Sequence, residues 1–149
     1  MNKNCESNFI QRVIKGGKIF ENDKGRIANY ELPEKINWIG LISSKKGTAR
    51  ANHYHPIQEQ KTLLISGSYV SVFKDLGKEG STIETCLIEA GDLEIIRPNV
   101  AHTMVFLEDS ILINLVNGER EHENFGKHTI PYELVNQANI KEYLRNKSK

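Results

Sequence analysis

The stretch ARANHYHPIQEQKTLLISG, residues 49–67, decides how this chain is read. Two histidines, His53 and His55, stand one residue apart near its start. In an extended strand, residues two apart share a face, so both imidazoles point one way and Tyr54 the other. Arg50 precedes the pair, Gln60 follows His55 by five positions, and KTLLISG runs on to a turn signal at Gly67. Histidines so placed suit acid–base chemistry, metal binding or plain surface polarity. The rest of the chain decides among these.

A second stretch, GDLEIIRPNVAH (91–102), ends in His102. Its Pro98-Asn99 pair marks a turn. Asparagine tolerates positive φ better than most non-glycine residues, so Asn99 can stand where a glycine is expected. Around these stretches the chain reads as short strands: RIANYEL (26–32), INWIGLISS (36–44), SYVSVFKDL (68–76), STIETCLIEA (81–90), DLEIIR (92–97) and HTMVFLEDSILINLV (102–116). They are rich in β-branched and aromatic residues, several alternate with period two, and Gly or Pro-Asn turns separate them. Strands at this spacing predict a sandwich or barrel. Helical pattern is confined to ANIKEYLRNKSK (138–149), where Asn139 is the expected N-cap and Ile140, Tyr143 and Leu144 share a face.

The whole chain narrows the classes. Its 149 residues suit one domain, 1–149, with a barrel core at about 26–117. Twenty basic and 19 acidic side chains leave a net charge of +1, which makes no case for nucleic acid or an anionic membrane. Only Cys5 and Cys86 are present, with no CxxC spacing, so neither a disulfide scaffold nor a zinc knuckle is expected. MNKNCESNF lacks an apolar signal region, and no apolar run reaches the roughly 20 residues that span a bilayer. A cytoplasmic location is the expectation.

Gly47, His53, His55 and Gly67 together resemble the first cupin motif, G(X)5HXH(X)3-4E(X)6G, with Gln60 in place of the glutamate. Gly91 and His102, with Asn99 in the glycine slot, resemble the second, G(X)5PXG(X)2H(X)3N; Arg97 and Phe106 occupy its proline and final asparagine slots. The resemblance covers roughly residues 36–117. It implies an all-β fold, a single cupin jelly-roll β-barrel with a short C-terminal helix. Among cupins, ARANHYH and RPNVAHTMVF are most similar to the RmlC-like nucleotide-sugar enzymes. These are the dTDP-4-dehydrorhamnose 3,5-epimerases and the WxcM/FdtA-like 3,4-ketoisomerases, and the HxH-x4-Q-x6-G spacing matches the latter. Three departures stand out. Arg50-Ala51 replaces an arginine–glycine pair, Ala101 replaces a tryptophan, and ILINLVNGE (111–119) has no counterpart of the epimerase tyrosine.

The resemblance implies an isomerase or epimerase acting on a dTDP- or UDP-linked 4-keto-6-deoxy sugar, in surface polysaccharide or deoxysugar biosynthesis. Protons beside a ketone are acidic, and histidine titrates near operating pH. His53 and His55 are then base and shuttle. Arg50 suits the diphosphate through its planar fork. Gln60 orients an imidazole or holds the sugar, His102 binds substrate, and Tyr132 stands at the pocket mouth. No cofactor is required on this reading. One alternative is a metal-dependent cupin whose His53, His55 and His102, with Gln60 possible, hold zinc, nickel or iron; a neutral amide is a poor ligand for a dication. Another is a non-catalytic sugar-binding cupin. The resemblance also implies a homodimer, with the segment FIQRVIKGGKIF (9–20) exchanged between subunits. GEREHENFGKH (118–128), with His122 and His128, is expected as an exposed loop or lid.

Overall fold

The structure is a computed structural model and describes residues 10–16, 18–118 and 128–145. In chain order its strands are β1 (Gln11–Ile14), β2 (Lys18–Asn22), β3 (Gly25–Asn29), β4 (Trp38–Ser44), β5 (Ala49–Tyr54) and β6 (Gln60–Ser66). Next come β7 (Ser68–Asp75), β8 (Glu84–Glu89), β9 (Leu93–Ile96), β10 (Val100–Phe106), β11 (Ser110–Val116) and β12 (Ile130–Pro131), and last the helix α1 (Ile140–Leu144). One antiparallel sheet has the order β1-β9-β6-β11-β4 and the other β12-β5-β10-β7-β8, while β2 and β3 form a separate hairpin. The two sheets face each other across an apolar interior. Leu64, Ile96 and Leu112 come from the first; Tyr69, Phe73, Ile88, Val100, Met104 and Phe106 come from the second. This is the expected jelly roll.

Period-two alternation explains which residues point inward. On β10, Val100, Met104 and Phe106 join the interior cluster, whereas Ala101 and Val105 face outward. Those outward residues, with Val70 and Val72 of β7, are covered by Leu134, Val135 and α1. With both faces of β10 buried, its sequence reads as a near-continuous apolar run.

Two expectations change. The single strand expected over 102–116 is two strands, broken at residues 107–109. The segment 9–20 lies partly outside the described residues; within it, β1 pairs with β9 of the same chain. The helix is shorter than expected. Asn139 occupies the N-cap position but makes no side-chain cap bond; its Oδ1 instead accepts the Asn136 amide. Asn136 Oδ1 accepts the amides of Ala138 and Asn139, so the local capping moves one turn upstream. Ile140, Tyr143 and Leu144 do share a face, half-buried against the outer cluster. Residues 119–127, including His122 and most of the expected lid, lie outside the described residues, as do 146–149.

Candidate functional site

The histidines converge because β5 and β10 are neighbours. His53 is the register partner of His102, and the register then slips so that Thr103 faces Ala51. Asn52 is the extra residue of a β-bulge. Ala51 (φ 80°) and Asn52 (φ 53°) are both left-handed, which explains why a glycine suits position 51. The bulge lets Arg50 and His53, three apart, both turn inward, opposite Met104 and His102. Asn52 also anchors the C-terminal segment. Its Oδ1 accepts from Thr103 Oγ1 and from the amides of Leu134 and Val135, and its Nδ2 donates to the Val135 carbonyl. Its backbone carbonyl accepts the Tyr132 amide at 2.8 Å. β12 is thereby held against the end of β5, with Ile130 opposite Tyr54 and Pro131 opposite His53.

Ring centroids lie 4.6 Å apart for His53–His55, 4.7 Å for His53–His102 and 5.4 Å for His55–His102. The rings differ in how they are held. His102, 1% exposed, has Nδ1 2.9 Å from the Val100 carbonyl. A carbonyl only accepts, so Nδ1 carries the proton and Nε2 of the neutral ring is a lone pair. That Nε2 is buried without a hydrogen-bond partner, and so is Nε2 of His53. His55 has both nitrogens engaged: Nδ1 lies 2.9 Å from the His128 carbonyl and 3.3 Å from Thr129 Oγ1, and Nε2 lies 3.0 Å from Gln60 Oε1. Its backbone carbonyl accepts the amide of Asn99, which takes the expected positive φ of 64°.

Burial, then the neighbouring His55, holds the His53 pKa down at about 3. Burial likewise lowers His55, opposed by its bonds to the His128 carbonyl and Gln60. His102 falls well below the usual range, through burial first and then His53 and His55. Three like groups in a desolvated space all favour the neutral ring.

Gln60 arrives with the histidines, whereas Glu59 turns away and lies 3.8 Å from Lys61 Nζ on the other face of β6. Arg50 and Tyr132 are not brought to the cluster. The Arg50 guanidinium donates to Ser44 Oγ and to the Ser43 carbonyl, and lines a separate cavity of about 780 Å³ with Lys45, Ser66 and Asp109. Tyr132 packs edge-on against Tyr54 at 6.4 Å, and Tyr54 lies on the face of β5 opposite His53. Sequence reasoning missed Thr62, Asn114, Thr129 and Asn52. Thr62 shares the face of Gln60 by alternation and was within reach; the others require the register and the bulge.

The metal expectation meets a mixed fit. One ring nitrogen from each of His53, His55 and His102 lies within 4.8 Å of the others. Two of the three rings offer an unpartnered Nε2. Tetrahedral zinc at ~2.0–2.1 Å from each nitrogen needs them about 3.3 Å apart. The cluster would have to contract, and His55 would have to release Gln60 or the 128–129 segment.

No protein-family model matches the chain, and no curated protein matches it. Solved structures do. The WlaRB TDP-quinovose 3,4-ketoisomerase of Campylobacter jejuni superposes with a TM-score of 0.68 at 20% identity, covering 91% of this chain and 98% of that one. The dTDP-4-dehydrorhamnose 3,5-epimerase of Sulfolobus tokodaii gives 0.66 at 20% identity, over 83% and 77%. A mutant of the 3,4-ketoisomerase QdtA of Thermoanaerobacterium thermosaccharolyticum, in complex with TDP-4-keto-6-deoxyglucose, gives 0.65 at 18% identity, over 93% and 94%. At these identities the likeness establishes the fold alone, a jelly roll shared with these enzymes.

Proposed function

We propose that this chain is a nucleotide-sugar isomerase, a 3,4-ketoisomerase acting on a dTDP- or UDP-linked 4-keto-6-deoxy sugar. The observation that carries the reading is the pair of buried, unpartnered Nε2 atoms on His53 and His102. Interconverting a 3-hydroxy-4-ketone and a 3-keto-4-hydroxyl moves two protons. One leaves C3 and arrives at C4; the other leaves the C3 hydroxyl and arrives at the C4 oxygen. The intermediate is the enediol(ate) between them. His53, neutral at working pH, takes the C3 proton, exchanges it with solvent, and delivers a proton to C4. The Nε2 lone pair of His102 takes the hydroxyl proton and delivers it to the other oxygen. His55, expected as the shuttle, lines the site with both ring nitrogens engaged.

Epimerisation needs an acid on the opposite face of the sugar. The chain has five tyrosines, and their placement gives no support for that role. The Tyr30 hydroxyl donates to the Gly91 carbonyl, and that of Tyr69 to Glu94. Tyr54, Tyr132 and Tyr143 pack in the outer cluster. The near-complete mutual coverage with the 3,4-ketoisomerases WlaRB and QdtA supports the same choice.

The test is incubation with TDP-4-keto-6-deoxyglucose in D₂O, followed by proton NMR. A 3-keto product is expected, with deuterium entering beside the ketone. His53→Asn should slow turnover by about 10²–10⁴-fold. A His53→Asn enzyme at full speed would remove the base from the scheme, and failure of the wild type to bind or turn over any nucleotide keto-sugar would remove the function.

The same unpartnered nitrogens keep a metal-dependent reading second. There His53 and His102 are the ready ligands, and an ion would supply Lewis acidity to a bound carbonyl or enediolate. Metal analysis of purified protein separates the two: full turnover after chelation excludes the metal reading, and a stoichiometric requirement excludes the first.

A further inference from the structure

The site rests on a file of polar groups. Gln60 Nε2 donates to Thr62 Oγ1 at 3.2 Å, and Thr62 Oγ1 donates to Asn114 Oδ1 at 3.0 Å. Alternation puts Gln60 and Thr62 on one face of β6, and Asn114 of β11 is the direct register partner of Thr62. Thr62 is fully buried. Its hydroxyl has one proton to give. Spent on Asn114, that proton leaves the oxygen to accept from Gln60, and Gln60 must then present its own oxygen to His55.

That orientation matters because a neutral His55 has one N–H and faces two acceptors, the His128 carbonyl at Nδ1 and Gln60 Oε1 at Nε2. One acceptor goes without. A bare Nδ1 has a donor in reach, the Thr129 hydroxyl at 3.3 Å. A bare Nε2 has none while Gln60 is turned this way. We infer that Gln60, Thr62 and Asn114 act as one positioning unit that fixes His55 as the Nε2–H tautomer, so that only His53 and His102 offer lone pairs to the substrate. Without the file the Gln60 amide is free to turn, the proton moves to Nδ1, and His55 presents a third lone pair toward the cluster. This deepens the proposed function and rests on it for its catalytic meaning, but the tautomer itself is a property of the free protein.

The experiment uses the full chain, with trace metal removed by chelation, and long-range ¹H–¹⁵N histidine spectra assigned by comparison with His55→Asn. Wild type is expected to show a protonated Nε2 and an unprotonated Nδ1 on His55. Thr62→Val, nearly isosteric, should reverse that pattern, lower kcat by about tenfold and leave KM within about twofold. Thr62→Ser, which keeps the hydroxyl, should restore both the tautomer and the rate. Asn114→Leu breaks the file at its far end and should mimic Thr62→Val if the valine variant folds poorly. A His55 spectrum that is Nδ1–H in wild type, or unchanged in both Thr62→Val and Asn114→Leu, overturns the inference even where turnover is normal. The expected spectra together with no turnover of any keto-sugar would overturn the isomerase reading and leave the positioning unit standing.

Discussion

His53 has its imidazole held at a pKa of about 3 by burial and by His55, against about 6.5 in an unfolded chain. Below about pH 6.5 the unfolded chain takes up a proton that the folded one refuses, so stability is full above that pH and falls as pH drops toward 3. The slope is at most about 1.4 kcal/mol per pH unit from this one ring. His55 and His102 shift in the same direction and add to it. His53→Asn should therefore flatten, without abolishing, the loss of stability between pH 6.5 and 4, measured by urea unfolding at several pH values. Parallel curves for the two proteins would mean that His53 is solvated and chargeable in the fold. The convergence of these rings was legible in the sequence: period two puts His53 and His55 together, and the paired motifs imply that His102 joins them. The direction of Arg50 was not. It has the right face, through the bulge, yet its guanidinium spends its hydrogen bonds on Ser43 and Ser44 of β4.

At the scale of elements, the turn between β6 and β7 is a single residue, Gly67, with φ +94°. A Cβ there would lie 2.6 Å from the Asp109 carbonyl oxygen and 2.8 Å from Ser110 Cα. Both are backbone atoms of the turn into β11, so neither yields cheaply. Gly47 is a built-in control: its φ is +85°, but nothing lies within 4 Å of its added Cβ. Gly47→Ala should cost about 1 kcal/mol, from the left-handed backbone alone. Gly67→Ala should cost about 2 kcal/mol more than that, from the clash. Chemical denaturation of the two variants checks the difference, and equal costs would show that β11 gives way freely. The motif spacing announced Gly67 as a turn residue. It could not announce the clash, because Asp109 and Ser110 approach only when β6 and β11 pair. Asn52 was hidden for the same reason: between Ala51 and His53 it reads as an ordinary strand residue, and only the register slip makes it a left-handed anchor for residues 132–135.

Over the whole molecule the two sheets are treated unequally. The outer face of the second is covered by the chain's own C-terminal segment and α1. The outer face of the first carries Ile39, Leu41, Ile65 and Ile111 at 67, 76, 47 and 44% exposure. Register joins them into a patch: Leu41 lies opposite Ile113, Ile39 opposite Leu115, and Ile113 opposite Leu63. Lys61, on that face of β6, is 1% exposed and paired with Glu34 and Glu59, so it adds no free charge. β4 also ends the sheet, an open edge among the described residues. We propose that a second copy of this chain covers the patch, as a homodimer about a twofold axis. An uncharged apolar face is complementary to its own image, and isologous pairing closes without leaving a copy exposed. Each large aliphatic side chain buried there is worth about 1.5–3 kcal/mol. Leu41→Glu places a carboxylate in the patch of both copies and should convert the dimer to monomer in analytical ultracentrifugation, with the far-ultraviolet circular dichroism unchanged. A wild type that sediments as a monomer at micromolar concentration would leave the patch to another partner, and a Leu41→Glu protein that stays dimeric would place the contact on a different face.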